Sequence, residues 1–386
     1  MIDITTSQQL QEFCDKHRNV PRLALDTEFI REKTYYPVLA LIQVAVQPGQ
    51  PVLIDPLEID LKPLLELLAD PAIQKVVHAG RQDMEIFLNL MGELPTNVFD
   101  TQVASAMLGF GEQIGYAALI QRTCQVELGK GARFTDWLSR PLHETQLDYA
   151  RNDVRYLLQA HDYLQKQIEQ LGRAEWVEDE LAHLYTLDQF VEAPEDLWLK
   201  VKRWNTVHPR DYVVLQGLAA WRDAEARRQD RPVRNILSDE AMIELSRTAK
   251  LDASSLQSKR FAHGGLIRRF GDVLIEIHRA ARAKPKSEWP VGPRPPIVSG
   301  KAEKLAEFAW LLVQDIAQDQ QMTPTSLIGK RDLVQLVDRL LRGKEPDQDL
   351  ELWRKELLVA PMRDLLSGQM ALRIRNGAIE WFKAPQ

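Results

Sequence analysis

Residues 23–32, LALDTEFIRE, decide the fold. Leu23, Ala24 and Leu25 are the aliphatic run of a buried strand, and two carboxylates, Asp26 and Glu28, follow with one residue between them. In a strand, residues i and i+2 share a face, so the two acids project side by side and repel. Burying two like charges beside aliphatic neighbours is costly without compensation. A helix N-terminus or a nearby Lys or Arg is one source of it. A divalent metal ion is another, because hard cations such as Mg2+ and Mn2+ prefer oxygen ligands.

Outward from this stretch, strand and helix signals alternate. Residues 39–47 (LALIQVAVQ), 51–55 (PVLID) and 75–79 (KVVHA) are aliphatic or β-branched runs bounded by turn signals. QPGQP at 47–51 reads as a tight turn, so the second and third strands are expected to form a hairpin. Helices are expected over about 61–69 and over RQDMEIFLNLM from Arg81, then a short strand at NVFDT, then a helix through QVASAMLG that stops at Gly109. More helix follows to about residue 185. A hairpin followed by strands separated by helices specifies a mixed α/β sheet with helices on both faces.

The chain has 386 residues, room for roughly two or three domains. From about residue 195 the strand signals stop. DYVVLQGLAAWRDAEARRQ (211–229) has apolar residues at helical spacing, SDEAMIELSRTA (238–249) opens on an N-cap signature, and GDVLIEIHRAARA (271–283) is a third helix. KPKSEWPVGPRPPIVSG (284–300) is dense in Pro and reads as an extended linker. Beyond it, helices are expected over about 301–318, 331–342, 349–357 and 361–367. The expected plan is a domain over 1–195, a helical module over 207–287, a linker at 288–300 and a second helical module over 301–386.

The net charge of −6 by itself disfavours a polyanion partner, yet residues 200–286 hold about 19 Lys/Arg against about 10 Asp/Glu. The first helical module is a basic island in an acidic chain, which suits a polyanion gripped by one part and processed by another. A solvated basic surface is the plainer alternative. Cys14 and Cys124 make no metal or disulfide pattern and suit a reducing compartment. The N-terminal stretch has no signal-peptide pattern, and no apolar run reaches the roughly 20 residues that span a bilayer. A cytoplasmic protein with no membrane partner is expected.

Two further segments bear on Asp26 and Glu28. VVHAGRQDMEIF places Asp83 just inside a helix that follows a strand, where an acid also complements the helix dipole. LDYARNDVRYLL (147–158) sets Tyr149 and Asp153 at i and i+4 on one helix face, a spacing that also suits an ordinary amphipathic helix with Tyr149 half-buried. Two carboxylates on a strand, one at a helix start and one on a later helix, a turn beyond a tyrosine, resemble the DEDD superfamily of 3′→5′ exonucleases. The tyrosine places the resemblance in the subclass whose third motif carries Tyr. LALDTEFIREKTYYPVLALIQVA, HAGRQDMEIF, FDTQVASAML and YARNDVRYLL, followed by a basic helical module, are similar to the ribonuclease D family. The module resembles an HRDC domain (helicase and ribonuclease D, C-terminal) at LAAWRDAEARRQDRPVRNILSDEAMIELSR (218–247). The likeness is strong over 22–158 and about 207–285, and weak over the last 85 or so residues.

The resemblance implies a ribonuclease H-like mixed five-stranded sheet flanked by helices, followed by two small all-helical HRDC-type domains. It implies that Asp26, Glu28, Asp83 and Asp153 hold two divalent metal ions, Mg2+ or Mn2+, and that Tyr149 orients the attacking water. Asp26 is expected to bridge both ions and Glu28 also to accept a hydrogen bond from the terminal 3′-OH. By the family pattern Asp153 serves the water-activating ion and Asp83 the other. A phenol with an ordinary pKa near 10 is a poor general base at neutral pH, so Tyr149 is expected to aim the water rather than deprotonate it. The implied reaction is exoribonuclease hydrolysis that releases nucleoside 5′-monophosphates from RNA with a single-stranded 3′ end. Trimming of tRNA precursors and other small structured RNAs is the implied task, carried out by a monomer with no protein partner.

Thr27, Phe29 and His78 are expected substrate contacts. His78 also suits a satisfied strand-end histidine, and Phe29, Tyr35 and Tyr36 suit either base stacking or core packing. Asp100 reads as an N-cap for the helix after it. Arg227, Arg228, Arg231 and Arg234 are candidate phosphate contacts, with solvated charge near helix ends as the alternative. Two other functions stay open: a DNA 3′→5′ exonuclease of the same fold, and a non-catalytic RNA-binding protein, against which the complete acid set weighs.

Overall fold

A computed structural model describes residues 1–129, 136–262, 264–293, 296–346 and 350–384. After helix α1 (Ser7–Lys16), strands β1 (Arg22–Ile30), β2 (Val38–Ala45), β3 (Pro51–Ile54), β4 (Gln74–Val77) and β5 (Val98–Asp100) form one sheet in the order β3-β2-β1-β4-β5. β2 and β3 pair antiparallel across the turn at 47–51, while β1–β4 and β4–β5 are parallel. Parallel neighbours need a crossover; α2 (Lys62–Ala69) leads into β4, and α3 (Arg81–Met91) joins β4 to β5. β1 is the central strand. Leu23, Ala24 and Leu25 are buried in succession, as a strand covered on both faces requires. From Asp26 the burial alternates: Thr27 is buried, while Asp26 and Glu28 are half-open and share a face. Helices α4 (Thr101–Met107), α5 (Tyr116–Cys124), α6 (Glu144–Arg155), α7 (Leu157–Leu171) and α8 (Ala174–Leu184) complete this region.

The chain divides into two compact units. One comprises Met1–Glu28, Ala40–Thr186 and Pro295–Gln386, the other Phe29–Leu39 and Leu187–Arg294. In the second, α9 (Tyr212–Gln229), α10 (Val233–Ile236), α11 (Asp239–Arg247), α12 (Ala253–Gln257) and α13 (Gly264–Ala283) surround a core that includes Trp198, Leu215, Leu218, Met242 and Leu274. Arg222, buried on α9, reaches the Leu237 carbonyl at 3.0 Å and Asp239 at 2.6 Å, which ties α9 to the start of α11.

In the first unit, α14 (Gly300–Asp319), α15 (Pro324–Leu327), α16 (Lys330–Leu341) and α17 (Leu352–Ser367) share one apolar core with the nuclease-like region: Leu157, Ile168 and Val177 cluster with Ala309, Val313, Leu333 and Leu358. Polar ties reinforce it. Buried Arg173 donates to the carbonyls of Met107, at 2.6 Å, and Gln320, and Arg354 pairs with Glu180. Trp176 and Trp353 stack with ring centres 4.7 Å apart. At Gly109, φ +73°, the backbones approach closely: a Cβ there would lie 1.9 Å from the Gln321 carbonyl oxygen.

Two features differ from the sequence reading. The helix signals over 349–357 and 361–367 belong to one helix, α17, with Pro361 inside it. Proline removes a backbone hydrogen bond, but Leu358, Val359 and Met362 are buried around it, and packing carries the helix through. Nor is the chain beyond residue 195 helical throughout, for β6 (Met370–Arg375) and β7 (Ala378–Lys383) form an antiparallel hairpin that turns at Asn376 and Gly377, both at positive φ. Asn-Gly between alternating apolar residues is a strong hairpin signal. Met370 and Trp381 pack on the shared core, which steadies a pair of strands too small to stand alone.

Gly109→Ala should cost about 3 kcal/mol through left-handed strain and overpacking. The measurement is the denaturant midpoint, together with proteolysis within residues 300–384; an unchanged midpoint would show that the shared core does not depend on this close approach.

Candidate active site

Asp83 is positioned by a tight strand-to-helix turn. β4 ends at Val77, and the chain turns through His78, Ala79 and Gly80 into α3. Ala79 sits at φ +55°, and a Cβ on Gly80 would lie 2.6 Å from Val77 Cγ2, so only glycine allows this approach. Asp100, at the end of β5, supports the turn. Its carboxylate accepts the main-chain N–H of Ala79 at 2.9 Å and of Gly80 at 3.1 Å, caps α4 through the Gln102 N–H at 2.8 Å, and accepts the Tyr185 hydroxyl at 2.6 Å. With its oxygens so engaged, Asp100 is the N-cap its sequence position suggested. Asp83 lies in the first turn of α3, buried, and accepts a hydrogen bond from the Thr27 hydroxyl on β1.

Tyr149 and Asp153 are brought in by α6. Arg140, just before this helix, donates to Asp55 at 2.6 and 2.9 Å and to the carbonyls of Ala40 and Trp137 at 2.7 Å, which fixes the approach to α6 against β2 and β3. Leu147 and Ala150 bury themselves with Ala40, Leu41 and Leu53. Tyr149, half-buried, packs at the edge of that cluster with its ring 6.2 Å from Trp137.

The four acids act on one another. The carboxyl of Asp26 is pushed well above the usual range by burial first, then by the charges of Asp83, Asp153 and Glu28. Burial and the charges of Asp153 and Asp83 raise Glu28 to about 8. Burial raises Asp83 to about 7, with the Thr27 hydrogen bond working the other way. Burial and the charge of Asp83 raise Asp153 to about 7. Among the described residues, the influences on Glu28 and Asp153 are burial and the charges of the other acids. An all-oxygen donor set whose carboxyls are raised by one another's charge fits hard divalent cations. Among the described residues, no three His, Cys, Asp or Glu side chains converge closely enough to grip an ion unaided, as suits like charges that repel.

Tyr116, which opens α5, carried no signal in the sequence. Its hydroxyl donates to the Asn152 carbonyl at 2.9 Å, one residue before Asp153. Burial and the charge of Asp153, with a smaller part from Asp26, push its pKa up, so the phenol stands beside the acids. His78 lies close by with its ring 5.6 Å from that of Tyr116. Its Nε2 meets the Ile114 carbonyl at 3.0 Å and its Nδ1 the Thr101 hydroxyl at 2.9 Å. Burial pushes it toward the neutral form. Both ring nitrogens are engaged within the fold, so the expected substrate contact by His78 has no free nitrogen to make it. The Thr27 hydroxyl is likewise committed to Asp83, and Phe29 is half-buried at the end of β1. Of the four arginines, Arg227 pairs with Asp223 at 2.7 Å and Arg228 with Glu225 at 2.6 Å. Arg231 and Arg234 are exposed, without an ion pair among the described residues.

Comparison with known proteins gives consistent matches. A family model described as 3′-5′ exonuclease matches residues 1–169, and one described as HRDC domain matches residues 212–277. The chain is 37% identical over 385 residues to Ribonuclease D of Gluconacetobacter diazotrophicus, covering 96% of this chain and 94% of that one. It is 37% identical to Ribonuclease D of Granulibacter bethesdensis, covering 97% and 93%. The crystal structure of Escherichia coli RNase D, described as an exoribonuclease involved in structured RNA processing, superposes with a TM-score of 0.79 at 34% identity, covering 94% of this chain and 98% of that one.

The raised carboxyls make stability depend on pH. Between an unfolded pKa of about 4 and the folded values of about 7 to 8, the folded chain holds protons that the unfolded chain has released. Stability must therefore fall as pH rises through that window. In a chelator, the melting temperature should drop between about pH 5 and about pH 8.5, and Mg2+ or Mn2+ should restore it most at the upper end. A metal effect of equal size at both ends would separate these carboxyls from cation binding.

Proposed function

The chain belongs to the ribonuclease D family of 3′→5′ exoribonucleases, and from that premise we propose that Asp26, Glu28, Asp83 and Asp153 hold two divalent cations beside Tyr149 at the site of hydrolysis. Membership implies an RNA substrate and the use of divalent metal ions. The observation that carries the residue assignment is the mutual electrostatic influence of four carboxyls from β1, α3 and α6.

When bound, the cations supply a hydroxide at neutral pH and neutralise the charge that gathers on the departing 3′ oxygen. The chain's own residues arrange the rest. Asp26 lies on the central strand under the charges of the other three acids and is the one best suited to be shared between ions. Glu28, half-open, accepts a hydrogen bond from the terminal 3′-OH, which selects chain ends. Tyr149 orients the attacking water through its hydroxyl. Asp83 is steadied by Thr27, which stands with Phe29 at the substrate side of β1, and Phe29 contacts the terminal nucleotide. Arg231 and Arg234, exposed in a basic module, contact phosphates.

We assign residues 1–195 to the nuclease domain, 207–287 to an HRDC domain, 288–300 to a linker and 301–386 to a second, HRDC-like domain that shares its core with the nuclease domain. The substrates are RNAs with a single-stranded 3′ end, tRNA precursors among them, which accords with the structured RNA processing ascribed to the Escherichia coli relative. The enzyme acts as a monomer in the cytoplasm, where two unpaired cysteines are at home.

A 3′-tailed tRNA-like RNA should be shortened stepwise with Mg2+ or Mn2+, remain intact in EDTA, and be preferred over the matched DNA. No metal-dependent shortening of either would sink the enzyme reading. Tyr149→Phe should lower kcat about 100-fold with an unchanged unfolding midpoint; full activity would remove Tyr149 from the mechanism. Replacing Arg231 and Arg234 by Ala should weaken RNA binding and reduce its logarithmic salt slope by about one to two. An unchanged slope would leave both arginines as solvated charge.

A further inference from the structure

One boundary between the compact units falls between Glu28 and Phe29. Residues 29–39, which are the last two residues of β1, the link after it and the first two residues of β2, cluster with the helices of the second unit, and the chain returns at Ala40. The grip on this link is specific. The Tyr35 hydroxyl donates to Asp223 Oδ1 on α9 at 2.8 Å. Arg227, one turn further along α9, donates to Oδ2 of the same carboxylate at 2.7 Å, and its guanidinium lies 5.2 Å from the centre of the Tyr35 ring. Asp230 Oδ1 accepts the main-chain N–H groups of both Tyr35, at 3.0 Å, and Tyr36, at 3.1 Å. Asp230 ends α9 at φ +45°, a left-handed conformation that Asp, Asn and Gly adopt most readily. Within the link, the Thr34 hydroxyl donates to the Tyr36 carbonyl at 2.7 Å. Tyr35 is thus a peg held at its hydroxyl, its ring and its main chain.

We propose that residues 29–39 are a positioning strap, held on α9 by Asp223, Arg227 and Asp230, that fixes the end of β1 where Glu28 and Phe29 stand. The inference rests on the assignment of Glu28 to the active site. A strand end that runs into a free loop can shift, and a displacement of about 1 Å at a reacting group can cost about 100-fold in rate. A link gripped through two main-chain N–H groups and a buried-side phenol loses that freedom before substrate arrives. Tyr35, Asp223 and Asp230 are positioning residues: they act through the chain that leads to Glu28.

Asp230 offers a clean test in the full chain, because Asp230→Gly keeps the left-handed turn while removing the acceptor, and Asp230→Asn keeps both. The probe is the p-nitrophenyl ester of thymidine 5′-monophosphate with Mn2+, a phosphodiester too short to need an RNA-binding module. Asp230→Gly should lower its kcat about tenfold with KM nearly unchanged, and hydrogen exchange at the amides of residues 26–30 should quicken. Asp230→Asn should restore both. Wild-type kcat and unchanged exchange in Asp230→Gly would overturn the strap, as would a loss confined to KM for RNA, which would make the clamp a binding element. If the wild-type chain cleaved neither the ester nor RNA, the active-site assignment would fall. Exchange at 26–30 would still decide the strap: quickened in Asp230→Gly it stands, unchanged it falls.

Discussion

Two like charges one residue apart on the central strand of a sheet set the constraint that the rest of the structure answers. Each buried carboxylate costs several kcal/mol of lost hydration, and repulsion between neighbours adds to it. Among the described residues, the charges that bear on Glu28 and Asp153 are those of other acids. The fold brings two more acids to the same place and raises all four carboxyls above their usual range. Such a cluster is unfavourable on its own, and carboxylate oxygens suit divalent cations.

The supports around the cluster are of two kinds. Close ones hold individual acids: Thr27 on Asp83, Asp100 on the turn that launches α3, and Tyr116 on the carbonyl of Asn152 beside Asp153. Broader ones keep the elements in place. Arg140 ties the start of α6 to β2 and β3, and the helices from Gly300 onward share a core with α4 and α7. The last region is therefore part of the body that presents the acids. Arg173 and Gly109 mark where its backbone meets theirs.

Much of this was legible in order along the chain. The five strands fall within a few residues of their expected places, because aliphatic runs bounded by Gly and Pro leave little choice. The hairpin at 370–383 carries its own signal in Asn376-Gly377 and the alternation around it, set within a run of helix signals. Pro361 misled for a physical reason: a proline weakens a helix locally, while burial on both sides of it acts over the whole helix. The arginine cluster at 227–234 shows the limit of counting charges. The sequence marks four cations, but Asp223 and Glu225, on the same helix, neutralise two of them.

By itself the sequence determined which side chains could do chemistry: the i, i+2 acids of β1, the acid at the start of α3, and the Tyr149–Asp153 pair one helical turn apart. These are local relations, set by the periods of strand and helix. Only the tertiary structure decided which of them meet, that Tyr116 joins them, that both nitrogens of His78 are engaged elsewhere, and that Tyr35 is held by a helix nearly 190 residues away in the chain. Those outcomes depend on long-range packing and on competition for hydrogen-bond partners, and neither leaves a periodic trace in the residues that take part.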